Sequence, residues 1–191
     1  MSASLGQPFF DSIYAADPDP WRFATSDYER EKYRVTLAAL SRPHYVRGLD
    51  VGCSIGVLTR QLAGRCCELV AIDITEKPLA EARRRSADAP WVRFARMAAP
   101  GEWPDGAFDL IVLSEVVYYL SRDEVAALAR RIVASLGAGG DLVLVHWTGA
   151  TNYPLTGDEA ATLLLREAAP VLRDVRSRRF DSYRLDVARR A

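Results

Sequence analysis

Residues 49–62, LDVGCSIGVLTRQL, set two glycines and a serine between a short apolar run and a helical pattern. Gly52 permits a tight turn, and Gly56 lets the following helix approach the strand closely. Ser54, between them, keeps the loop small. A turn of this kind presents backbone N–H groups to a ligand at the edge of a sheet. The spacing is D-x-G-x-S-x-G, not the G-x-G-x-x-G of a dinucleotide loop, and Asp50 lies two residues before the first glycine. A carboxylate there repels a pyrophosphate and attracts an ammonium or sulfonium, so the loop suits a nucleoside that carries a cation. Asp73, 17 residues beyond Gly56, ends the next apolar run. A carboxylate at that point can accept two charge-assisted hydrogen bonds from ribose hydroxyls.

Positioning these groups requires a sheet whose strands end together. Strand-length apolar runs alternate with helical periodicity, which is the pattern of a parallel sheet with helices on its faces. Strands are expected at 46–51, 69–73, 92–97, 108–115, 141–147, 171–180 and 182–189, and helices near 27–40, 56–65, 76–87, 122–136 and 157–169. Ser26 with Glu29, Ser121 with Glu124 and Thr156 with Glu159 fit capping boxes. GAGGD, after Leu136, reads as a helix C-cap and a turn into a strand. Almost nothing separates the last two strands, so they should pair as an antiparallel hairpin at a sheet edge. The expected fold is α/β: a Rossmann-like, doubly wound, seven-stranded, mostly parallel sheet closed by that hairpin.

With 191 residues, 49% of them hydrophobic, the chain suits one core. Residues 1–42 form an N-terminal arm and lid helix, and 43–191 the Rossmann-like core. Twenty-five Lys and Arg balance 25 Asp and Glu, so no overall field recruits nucleic acid or an anionic membrane. The C-terminal arginines alternate with Val175, Leu185 and Val187 and read as the solvated faces of strands. Cys53, Cys66 and Cys67 are odd in number and lack C-x-x-C or histidine spacing, which argues against a disulfide framework or a metal site. There is no charged-then-apolar leader, and no apolar run approaches the length of a membrane span. A soluble, reducing, cytoplasmic setting is expected; the oligomeric state is not legible.

LDVGCSIG, LVAIDIT, FDLIVLSEVVYYL and LGAGGDLVLV resemble, in order and spacing, successive motifs of the class I S-adenosylmethionine-dependent methyltransferases over about residues 45–190. DPDPWRFATSDYEREKY followed by SEVVYYL resembles more narrowly the nodulation protein S-like branch, known for N-methylating a chitooligosaccharide amine. The resemblance implies S-adenosylmethionine as cofactor, with Asp50, Gly52, Cys53, Ser54, Gly56, Asp73, Ile74 and Ser114 among its contacts. Ser54 stands where relatives have the middle glycine. RMAAP stands where many place an Asp for the adenine amine, so Ala98 is expected to offer only backbone groups.

Such a reaction is an in-line displacement, and holding the nucleophile against the methyl carbon can account for most of the rate. An amine must be neutral to attack, so a carboxylate or imidazole near it would help. Glu115, ending the fourth strand, and His146, near the end of the fifth, are the candidate catalytic groups. Tyr118, Tyr119 and Trp147 are expected to wall the acceptor, where an aromatic face favours a cation. In the arm, Tyr33, Leu37 and Leu40 mark the buried helix face, leaving Tyr28, Arg34 and the preceding Trp21 as lid residues over the cofactor. The expected acceptor is a small molecule bearing an amine, such as an amino sugar or modified amino acid. An oxygen acceptor would use the same loop. An NAD-dependent oxidoreductase would need the missing dinucleotide spacing, and a catalytically silent cofactor-binding domain would keep the loop without the transfer.

Overall fold

Seven strands form one sheet in the order β3-β2-β1-β4-β5-β7-β6 in the computed structural model, which describes residues 3–191. The strands are β1 Tyr45–Val51, β2 Cys66–Asp73, β3 Val92–Arg96, β4 Phe108–Ser114, β5 Leu136–Trp147, β6 Leu172–Arg179 and β7 Tyr183–Arg190. The helices are α1 Gln7–Ala16, α2 Asp27–Ala39, α3 Val57–Leu62, α4 Glu76–Arg85, α5 Arg122–Ser135 and α6 Gly157–Ala168. Strands β1 to β5 pair in parallel, whereas β7 runs antiparallel to both β5 and β6.

The central strands are buried on both faces, as parallel strands covered by helices must be. Alternation with period two sorts their side chains. Ile111, Leu113, Leu142 and Leu144 share a cluster with Val125 and Leu128 of α5 and Leu164 of α6. Leu110, Val112, Val143 and Val145 face Tyr33 of α2 and Leu58 and Leu62 of α3. Each fully buried aliphatic side chain contributes about 1.5–3 kcal/mol by leaving water. From β1 the chain winds outward to β2 and β3, then returns to β4 on the other side and continues to β5. The winding therefore reverses between β1 and β4, and a crevice opens at the carboxyl ends of those strands.

Two local features differ from the sequence-based expectation. GAGGD is not a turn outside the sheet: β5 starts at Leu136, one residue after α5 ends. Phe108 pairs with Leu136 and Leu110 with Asp141, so the extra residues are absorbed as a bulge. The arm also contains a helix of its own, α1, started by Pro8 and burying Phe10 and Tyr14. It crosses the crevice: the Leu5 N–H donates to the Tyr119 carbonyl, Tyr14 hydrogen-bonds Ser54 (2.5 Å), and Thr75 donates to Asp11.

Candidate active site

A cavity of about 320 Å³ lies under α1, at the carboxyl ends of β1, β2 and β4. One end is the glycine loop. Gly52 (φ 75°) turns the chain there, where a Cβ would stand 2.1 Å from Val116 Cγ2. Gly56 (φ 75°) begins α3 so close to α4 that a Cβ would stand 2.9 Å from the Ala82 Cα. Gly56 therefore shapes the loop from outside the cavity wall, which includes Gly52 and Ser54. Ser54 takes a left-handed conformation (φ 51°), uncommon without glycine. Its N–H donates to Asp73 (2.9 Å), which also accepts from the Thr75 N–H (3.1 Å). Burial pushes the Asp73 carboxyl up to about 6 against those bonds.

Asp50 lies behind the loop, outside the main cavity. It accepts from the Thr59 hydroxyl (2.6 Å), and burial raises it to about 6. Together with Cys53 it borders a small recess beneath the loop, and burial holds the Cys53 thiol well above its ordinary range.

At the other end Glu115, in a left-handed conformation (φ 59°), turns its carboxylate among three donors. Lys32 Nζ donates to Oε1 (2.7 Å); the Tyr118 hydroxyl (2.7 Å) and the Trp147 N–H (2.8 Å) donate to Oε2. These contacts hold a conformation that costs on the order of 1–3 kcal/mol. Burial acts to raise the Glu115 carboxyl, but the ammonium beside it prevails and holds it below its ordinary value. Lys32 also donates to Glu29 (2.9 Å), so one buried cation bridges two carboxylates. Tyr118, Tyr119, Trp147 and Ser114 line this end, with Tyr153 stacked on Tyr118 (ring centroids 5.2 Å apart). Above it, Trp21 and Tyr28 of the arm complete the wall; Trp21 packs edge-on against Tyr14 (5.6 Å).

Besides Asp50, Cys53 and Gly56, three further expected site residues stand outside the cavity wall. His146 is fully buried behind the wall; its Nε2 accepts from the Val117 N–H (3.2 Å), which leaves Nδ1 without a hydrogen-bond partner among the described residues. Desolvation pushes this imidazole down to about 4, so it is a neutral packed ring with no access to an acceptor. Arg34 points to solvent and forks onto Glu31 (2.5 and 2.7 Å). Ala98 has both backbone groups engaged by Glu102, while its neighbours Met97 and Ala99 line the cavity with Ile74.

Among the lining residues missed in the sequence are Tyr14, Glu29, Lys32 and Tyr153. Lys32 carried a readable signal, since it falls four residues after Tyr28 on the same helix face. Glu29 was masked by the capping pattern. Ser26 does accept the Glu29 N–H, but the Glu29 side chain turns to Lys32 and returns no bond to the cap, unlike the reciprocal boxes of α5 and α6.

His146 gives a pH test. Its ordinary value of 6.5 applies to the unfolded chain, so between 6.5 and about 4 the unfolded state binds more protons and the folded state loses stability as pH falls. Across that window His146→Gln should gain on the wild type by about 3 kcal/mol in chemical denaturation. A stability gap that stays constant would show that the ring is solvated.

The strand order, the glycine loop, the acid that ends β2 and the antiparallel seventh strand define the fold of the class I S-adenosylmethionine-dependent methyltransferases. Residues 12–178 match the family described as Nodulation protein S (NodS), and the chain belongs to that family. Nodulation protein S of Rhizobium tropici is 32% identical over 158 residues, covering 80% of this chain and 66% of that protein. Its counterpart in Sinorhizobium fredii is 32% identical over 132 residues, covering 67% of this chain and 60% of that one. The chain thus spans about 60–66% of the length of these two relatives. The crystal structure of the N-methyltransferase NodS from Bradyrhizobium japonicum WM9 with S-adenosyl-L-homocysteine is similar at a TM-score of 0.81 and 25% identity, covering 94% of this chain and 95% of that one. Among the described residues no helix is long and apolar enough to cross a membrane, and no group of histidine, cysteine and carboxylate side chains could hold a metal ion.

Proposed function

We propose that the protein is an S-adenosylmethionine-dependent N-methyltransferase for a small acceptor carrying an amine, built as one domain and working in a reducing cytoplasm. The observation that carries this reading is the continuity of the cavity. An end that holds the glycine loop, Ser54 and Asp73 opens directly onto an end lined by carboxylates and aromatic rings. Asp73 would hold the ribose hydroxyls, the apolar Ile74, Met97 and Ala99 would wall the base, and Gly52 and Ser54 would follow the amino-acid portion. The cofactor supplies a methyl group on a sulfonium, and a wall of Glu115, Tyr118 and Tyr28 favours positive charge. Asp50 serves as support beneath the loop. Glu115, with all three donors in place, orients the acceptor end and is poorly suited to take a proton. Helix α1 and Trp21 form the lid that excludes water.

Calorimetry with S-adenosylhomocysteine, followed by transfer of a labelled methyl group to a panel of amines, amino sugars and hydroxylated compounds, tests this reading. Binding of the cofactor product and transfer to amines are expected. Amide exchange across residues 5–28 should slow on binding, because ordering a segment protects its amides. Failure to bind the product overturns the function, and transfer to hydroxyls alone replaces it with O-methylation. Exchange that is equally slow without ligand makes α1 a fixed wall.

A further inference from the structure

The two carboxylates and one ammonium at the acceptor end do not balance, and they are unequally engaged. Glu115 receives three donors, one on Oε1 and two on Oε2. Glu29 receives one, from Lys32 on Oε1; the Tyr33 hydroxyl lies beside the carboxyl, but Oε2 has no partner in hydrogen-bond geometry. The Glu29 side chain is 9% exposed and belongs to the cavity wall. It reaches that place by abandoning the cap of its own helix, as the one-sided Ser26 contact shows. A buried carboxylate oxygen left without a donor is costly, and a small turn of the side chain toward the cavity would let a cationic ligand supply one. With Lys32 ionised, the three groups sum to one negative charge.

We infer that Glu29 is the residue that receives the acceptor's amine as an ammonium, which loses its proton to water before it attacks, and so selects a nitrogen acceptor over an oxygen one. This rests on the cofactor-binding reading above. Tyr28 and Trp147, packed edge-on 6.1 Å apart, border the same space; Lys32 Nζ already stands over the Tyr28 ring (5.1 Å to its centroid), which leaves Trp147 to favour a further cation. The charged and titratable groups facing Glu29 are Tyr28, Lys32 and Tyr33 on its own helix, and Glu115 from the end of β4. Burial raises the Glu29 carboxyl despite the ammonium beside it, so its hold on a cation should weaken at a higher pH than for an ordinary glutamate as the solution is acidified.

Two analogues of the cofactor product test the assignment without knowledge of the natural acceptor. Each has nitrogen in place of the sulfur; one carries a 2-aminoethyl arm and the other a 2-hydroxyethyl arm, reaching toward the acceptor end. Wild-type protein should bind the aminoethyl compound at least about tenfold more tightly at neutral pH, as a charged hydrogen bond implies. In Glu29→Gln that preference should shrink to about twofold or less, with the hydroxyethyl affinity retained. A wild type without the preference overturns the inference whether or not the variant folds, and so does a preference that survives in Glu29→Gln. S-adenosylhomocysteine, measured alongside, separates this failure from that of the parent reading: if it binds and the arms are not distinguished, only the role of Glu29 falls.

Discussion

Lys32→Met should lower the midpoint of thermal unfolding by about 6–20 °C, the equivalent of about 3–5 kcal/mol in a domain of this size. Lys32 is 2% exposed and lies between the carboxylates of Glu29 and Glu115, which are themselves almost buried. Methionine fills a similar volume, so little of the loss comes from packing. What remains is two neighbouring carboxylates without a counter-charge, a far worse state than a pair removed whole. At least one of them must then take up a proton. Lys32→Met combined with Glu29→Gln should therefore recover part of the loss, because the second change removes the charge that the first one stranded. Calorimetric scans of both variants decide the matter: a single variant within about 2 °C of the wild type would mean that the ion triad is solvated and uncoupled.

That triad was the part of the site least legible in the sequence, and the reason is physical. A capping box is a local pattern, and Ser26-x-x-Glu29 satisfies it as well as Ser121-x-x-Glu124 does. Which way the glutamate turns depends on Lys32 and on Glu115, 86 residues from Glu29 in the chain, and so on tertiary structure that no short window contains. His146 fails for the same kind of reason. Strand alternation places it near the rim, but only the packed structure shows the Val117 N–H filling its acceptor nitrogen and the wall closing in front of it. By contrast the strands themselves and the terminal hairpin followed from alternating periodicities and a short connection, because each is fixed by neighbours in sequence. The glycine loop and Asp73 were legible together, since a doubly wound sheet brings the ends of its first two strands side by side. Helix α1 escaped notice although Phe10 and Tyr14 fall at i and i+4, because that pair spans little more than one turn beside a Pro- and Asp-rich stretch.

Asp73→Ala should weaken binding of S-adenosylhomocysteine by about 10–150-fold, the loss of a charge-assisted pair of hydrogen bonds worth about 1.5–3 kcal/mol. Two effects contribute, and they can be separated. Asp73 accepts the Ser54 and Thr75 N–H groups, so its removal also loosens the loop that carries Ser54. The ribose contribution is isolated by a cycle with the 2′-deoxy analogue of the cofactor product. In the wild type, loss of that hydroxyl should cost affinity; in Asp73→Ala it should cost almost nothing, because the partner has already gone. Wild-type binding should also weaken as pH falls through about 6, where the raised Asp73 carboxyl takes up a proton and accepts hydrogen bonds less well, and this limb should be diminished in the variant. If Asp73→Ala binds as tightly as the wild type, the carboxylate belongs to the loop alone and the ribose must be held elsewhere. If affinity falls but the 2′-deoxy penalty persists, the loss comes through Ser54, and the Tyr14 hydroxyl that reaches Ser54 from α1 becomes the next group to remove.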